Sequence, residues 1–178
     1  MVSFQDVQTA YYMVAATGVL VAAGYYILNM RAVMKSREFE TCKYLTAFMT
    51  SDPMMQTYST LLKGMEWKDY NDFMEKYGYS NPEMFGKWVS FFFLADTLGY
   101  QVKNQLVRAE TIYDLGGWGF IRLWERYKDV ILSRRGEVYG WDYFAGFEFF
   151  AGEMLKIKIR KDAGFKDKLD SYRRTWKP

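Results

Sequence analysis

Tyr11-Tyr12-Met13-Val14-Ala15-Ala16-Thr17-Gly18-Val19-Leu20-Val21-Ala22-Ala23-Gly24 lies inside a run of 24 uncharged residues, Val7 to Met30, bounded by Asp6 and Arg31. A helix needs roughly 20 apolar residues to cross the hydrocarbon core of a bilayer, so this run is long enough. Tyr11 and Tyr12 stand near one end and Tyr25 and Tyr26 near the other, where amphipathic rings favour the membrane–water boundary. The expectation is a transmembrane helix over about residues 8–30.

Two other readings of the run fit less well. A signal peptide carries a basic n-region, whereas Met1 to Ala10 holds only Asp6 as a charged residue. Ala22-Ala23 imitates a cleavage site, yet the apolar character continues to Met30. A buried core helix has a polar stripe, and none interrupts the run. Arg31, Lys35, Arg37 and Lys43 follow the span and no basic residue precedes it. The positive-inside bias therefore predicts a single-pass protein of the cell membrane with its N-terminus outside and its C-terminal domain in the cytoplasm. Gly18 and Gly24, among Ala15, Ala16, Ala22 and Ala23, form a small-residue surface of the kind that lets helices approach closely in lipid. Besides membrane lipid, the partners expected there are other membrane-protein subunits or a second copy of the span.

The remaining chain is long enough for one domain. With 20% aromatic residues in the whole sequence, that domain has large rings with which to build a core. Cys42 is the single cysteine, so no intrachain disulfide is possible, and there is no histidine. The absence of imidazole excludes His-based metal and haem sites and every triad or general-base scheme that uses His. No catalytic signature or cofactor motif takes their place, and no enzyme activity is assigned.

Pro and Gly punctuate the soluble part into helices. Phe39, Cys42, Leu45, Thr46 and Met49 recur at helical spacing and continue the tether over 34–50. Ser51-Asp52-Pro53 starts a helix to about Lys63, and another runs from Glu66-Trp67 to Gly78. Ser80-Asn81-Pro82-Glu83 opens the most apolar soluble helix, Met84 to about Leu106, which is predicted to lie at the domain centre. Shorter pieces follow over 110–115 and 118–134, and a last helix from about Trp141 to Arg160. No segment alternates at period two. The fold class is all-α: an N-terminal segment (1–33), a compact cytoplasmic bundle of about five to six helices (34–160) and a basic C-terminal tail (161–178).

The order of motifs, Leu98-Gly99-Tyr100, Ile112-Tyr113-Asp114, Phe120-Ile121-Arg122-Leu123-Trp124-Glu125, Arg135 and Phe147-Glu148-Phe149, behind a single N-terminal span, resembles the membrane-anchored helical proteins of the domain-of-unknown-function 4760 family. The likeness covers Tyr11 to about Leu155 and implies the architecture; it brings no catalytic residues.

Polar residues offer few sites. Asp96 follows Phe91-Phe92-Phe93-Leu94 in the most apolar soluble helix, where an unpaired charge would cost several kcal/mol. Arg135 and Glu148 are its expected companions in a buried ion-pair cluster, read as a staple between helices rather than an active site. Glu110 with Asp114, and Glu125 with Asp129, have the spacing to share a hard cation, but are read as solvated helix faces. Gly116-Gly117-Trp118-Gly119 lacks the Lys-Ser/Thr of a phosphate loop and reads as a helix break.

From Lys156 to Pro178 nine basic residues face three acidic ones. Lys156, Lys158, Arg160, Lys161, Tyr172, Arg173, Arg174 and Trp176 are candidates for contact with an anionic membrane surface or a partner. Nucleic acid is disfavoured, because no recognised motif accompanies the charge. The functional expectation is a structural or accessory subunit of a larger membrane complex. The alternative is a stand-alone tethered binding or regulatory module whose basic tail contacts anionic lipid or nucleic acid.

Overall fold

The structure, a computed structural model, describes residues 3–176. The chain divides into two units, Met1–Thr41 and Cys42–Pro178. Among the described residues there is no strand, and the all-α reading holds.

Helix α1 (Phe4–Met49) forms the first unit and enters the second. Ser3 and Asp6 start it with reciprocal bonds: the Asp6 carboxylate accepts from the Ser3 amide at 3.0 Å and the Ser3 hydroxyl accepts from the Asp6 amide at 3.1 Å. Such a box satisfies amides that a helix start leaves open. The hydroxyls of Thr9 and Thr17 donate back to the carbonyls of Gln5 and Met13 at 2.9 and 2.8 Å. None of the most apolar 18-residue window is buried (0%), and the helix is long and apolar enough to cross a membrane. The tether helix expected over 34–50 is part of this same helix.

The second unit contains the end of α1, where Leu45 is buried, followed by α2 (Asp52–Lys63), α3 (Tyr70–Tyr77) and α4 (Pro82–Lys103). A short α5 (Ala109–Ile112) runs into a π-helical turn, Tyr113–Gly117. Helix α6 (Gly119–Arg134) ends in a second π-helical turn, Arg135–Tyr139, and α7 (Ala145–Lys161) and α8 (Phe165–Trp176) complete the bundle. Pro in the first turn opens α2 and α4, where its missing N–H costs nothing. Asn81 caps α4 by accepting from the Met84 amide at 3.3 Å. Gly116, at φ +99°, breaks the path between α5 and α6, a conformation that favours a residue without Cβ.

Three boundaries differ from the sequence expectation. Helix α3 begins at Tyr70, because Asp69 caps it through the Asp72 amide at 3.0 Å, while the Glu66 amide donates to the Tyr77 hydroxyl. Helix α7 begins at Ala145 rather than Trp141: Phe144 adopts φ +54° just before it, with its ring buried against Phe92 and Phe93. Residues 165–176, expected as part of a basic tail, form α8 instead, because Phe165 and Leu169 are buried and bring it onto the bundle.

Helix α4 is the centre of the core. Trp88, Phe91 and Phe92 are fully buried, each contributing up to about 3 kcal/mol by leaving water. Phe92 meets Tyr127 of α6 at 5.0 Å and Phe147 of α7 at 5.3 Å, between ring centroids, in the tilted geometries that aromatic quadrupoles favour. The helix is not covered all round, since Phe93 is 55% exposed. Against α7 the contact is main chain on main chain. A Cβ on Gly99 would collide with the Gly146 carbonyl, and one on Gly146 with the Asp96 carbonyl.

This crossing has a direct test. Gly146→Ala is expected to destabilise the protein by about 2 kcal/mol, the usual scale of overpacking. Gly86→Ala, on an open face of α4, is expected to stabilise it by about 0.5–1 kcal/mol through helix propensity. Urea denaturation of the full chain in mild detergent, followed by tryptophan fluorescence, reads both, and equal effects at the two sites would contradict the close crossing.

Candidate functional site

Asp96, Arg135 and Glu148 gather at one place, the N-terminus of α7. Phe144, in the cap position, offers no side-chain acceptor to the first turn. Asp96 does so from α4, accepting from the Phe147 amide at 3.0 Å. Burial pushes the Asp96 carboxyl above its ordinary value, against the lowering effect of the Phe147 and Gly146 amides and of the Arg135 charge. Arg135 reaches Glu148 directly, Nη1 to Oε2 at 2.6 Å, and donates from Nε to the Tyr143 carbonyl at 2.8 Å. Glu148 is 49% exposed, so the pair sits at the rim of the bundle and not in its interior as the sequence implied. Both carboxylates lie at the positive end of a helix dipole, and Arg135 braces the turn that leads into it. This arrangement positions a helix.

The carboxylates considered as cation sites are engaged elsewhere. Glu110 accepts from Arg160 at 2.8 Å, and Asp114 pairs with Lys161. Glu125 is buried and accepts from Lys128 at 2.8 Å and Arg173 at 3.0 Å. Burial raises the Glu125 carboxyl, but the bonds from Arg173 and Lys128 outweigh it and hold the group below the ordinary value. Among the described residues no three His, Cys, Asp or Glu cluster as a metal site requires.

Those same contacts account for much of the C-terminal basic group. Lys156 pairs with Glu153 at 2.6 Å and Lys158 with Asp162 at 3.3 Å. Those two pairs lie within α7 and its C-terminal cap, whereas Arg160, Lys161 and Arg173 pair with Glu110, Asp114 and Glu125 of other elements and tie α7 and α8 into the unit. Arg174 is exposed on α8. Tyr172 stacks between Phe165, at 5.4 Å, and Trp176, at 5.6 Å. Gly18 and Gly24 lie open on α1, with nothing within 4 Å of where a Cβ would stand.

Two arginines that sequence reasoning passed over are the more unusual features. Arg134 is 1% exposed and sits among the rings of Tyr79, Phe85, Trp88, Tyr139 and Tyr143, at 5.0–5.9 Å from their centroids. Its Nη2 donates to the Tyr79 hydroxyl at 3.2 Å, and Tyr79 and Tyr139 share a bond of 2.6 Å. Stacked aromatic faces stabilise a desolvated guanidinium by about 2 kcal/mol or more. Burial among them, opposed by the Arg134 charge, pushes the Tyr143 hydroxyl up to about 12. The aromatic excess of the sequence was the available signal, but the cage draws on residues far apart in the chain.

Arg122 is the second. It lines a cavity of about 360 Å³ between the π-helical turn after α5, α6, α7 and α8, walled by Tyr113, Trp118, Phe165, Tyr172 and Trp176. Its Nε is buried without a hydrogen-bond partner. Lys158, also at the cavity, is neutralised by Asp162 and lies 5.1 Å over the Phe165 ring.

Asp96→Ala is expected to lower stability by about 1–2 kcal/mol, the cost of a lost helix cap, and Asp96→Asn, which keeps an acceptor, by less. Because the native carboxyl is raised, its favourable contribution is complete below the ordinary aspartate range and declines as pH rises through the raised native value. Denaturation midpoints of wild type and Asp96→Asn should therefore move closer together, or cross, as pH rises through that window; a gap that widens with pH would refute the assignment. Arg134→Ala should cost about 3 kcal/mol or more by emptying the cage, and Arg134→Met, which restores most of the volume, should cost less in the same measurement.

No family model matches this chain, and neither does any curated protein or solved structure.

Proposed function

We propose that the protein is a single-pass membrane protein that serves as a structural or accessory subunit of a larger membrane complex. The observation that carries the reading is the uncovered apolar surface of α1: Val14 and Leu20 are each 73% exposed, and none of the most apolar window is buried. In water such a surface would be expelled; in lipid it is matched. Arg31, Lys35, Arg37 and Lys43 at the end of the span favour a cytoplasmic location for the second unit, with the N-terminus outside. The open surface around Gly18 and Gly24 fits a neighbouring helix, from another subunit or a second copy.

The soluble unit supports a docking role more than a catalytic one. Its carboxylates are spent on helix caps and ion pairs, as at Asp96, Glu110 and Glu125, and no histidine is available for proton transfer. The alternative, a tail that holds anionic lipid or nucleic acid, is weakened by the pairing of Arg160, Lys161 and Arg173 with carboxylates of other elements.

Two measurements test this reading. Extraction in mild detergent followed by native mass determination is expected to recover the chain in an assembly, and recovery solely as a monomer would sink the subunit role. For orientation, a membrane-impermeant maleimide should label Ser3→Cys in a Cys42→Ser background on intact cells. Asp167→Cys in the same background should react only after permeabilisation; the reverse pattern would overturn the topology.

A further inference from the structure

We propose that the cavity beside Arg122 is a binding site for a small planar aromatic carboxylate, with the ring held among Trp118, Tyr172 and Trp176 and the carboxylate bonded to the guanidinium. Three independent observations meet there. The volume, about 360 Å³, falls in the range of small-ligand sites, which combine apolar walls with a few placed polar groups.

The walls supply flat apolar faces that the fold leaves partly bare. Trp118 is 57% exposed, and Tyr172 is 37% exposed. Tyr172 and Trp176 lie nearly parallel, at 8°, and extend a stack that begins at Phe165. A planar ring is the shape such faces accept, by offset stacking or edge contact.

The charge selects an anion. Of the two cations at the cavity, Lys158 is answered by Asp162 at 3.3 Å. Arg122 takes part in none of the ion pairs among the described residues that hold its neighbours Glu125, Lys128 and Arg173. The cavity therefore carries a net positive charge on a planar, forked donor, which matches a carboxylate in two parallel bonds. A neutral ring would gain the stacking alone, and a cation would be repelled.

The test uses the full chain in mild detergent and three probes with the same ring: 2-naphthoate, 2-naphthalenemethanol and 2-naphthylmethylamine. Quenching of tryptophan fluorescence gives each dissociation constant, and every variant in the same detergent controls for partition of the probe. 2-Naphthoate is expected to bind at least about tenfold more tightly than the alcohol, and the amine most weakly, the scale of one charge-assisted bond. Arg122→Gln should abolish the preference for the carboxylate while keeping affinity for the alcohol, and Arg122→Lys should keep part of it. Trp118→Ala should weaken carboxylate and alcohol alike. Equal affinities for the three probes, no saturable binding by about 1 mM, or an Arg122→Gln variant that keeps its anion preference would each overturn the assignment. Circular dichroism on each variant establishes that the fold is retained; if Arg122→Gln unfolds, the Arg122→Lys and Trp118→Ala comparisons decide. The subunit reading rests on α1, so failure here leaves it untouched.

Discussion

The main chains of α4 and α7 meet at Gly99 and Gly146 with no side chain between them, and the rest of the second unit is arranged around that crossing. Helices that touch through their backbones bring the flanking large residues of both into one layer. Phe92 of α4 then reaches Phe147 of α7 and Tyr127 of α6 at once, and Phe120 of α6 reaches Phe150. The crossing also places Asp96 against the first turn of α7. A residue distant in sequence thereby supplies the cap that Phe144 cannot, and an otherwise strained entry to the helix becomes tolerable.

Charge is handled in the unit by two different means. At the rim, carboxylates and cations pair across helices, as Glu110 does with Arg160 and Glu148 with Arg135. Inside, Arg134 is surrounded by rings and hydroxyls, and Arg126 donates to main-chain carbonyls of Met65 and Trp176 while lying 4.9 Å over the Trp67 ring. A planar, weakly hydrated guanidinium can be buried in this way where an ammonium could not. Arg122 differs from both: it lines a cavity whose other two charged residues, Lys158 and Asp162, pair with each other.

The two units treat apolar surface in opposite ways. In the second, large apolar side chains are removed from water by one another. In the first, the apolar surface of α1 is left uncovered, and the polar atoms of Thr9 and Thr17 are turned onto the helix's own carbonyls.

The sequence by itself determined the helical class, the uncharged span and most helix starts, because these depend on composition, periodicity and local caps such as Asn81 and Pro82. It also pointed to Asp96, Arg135 and Glu148 as polar residues requiring partners, yet read them as a buried ionic cluster. Only the tertiary structure decided that Asp96 caps a foreign helix, that Arg135 and Glu148 lie at the rim, and that residues 165–176 fold onto the bundle. The same holds for the cage around Arg134 and the cavity beside Arg122. Each depends on side chains from several helices converging in space, and their spacing in sequence carries no trace of that convergence, because long-range packing is set by the crossing of whole helices rather than by any local pattern.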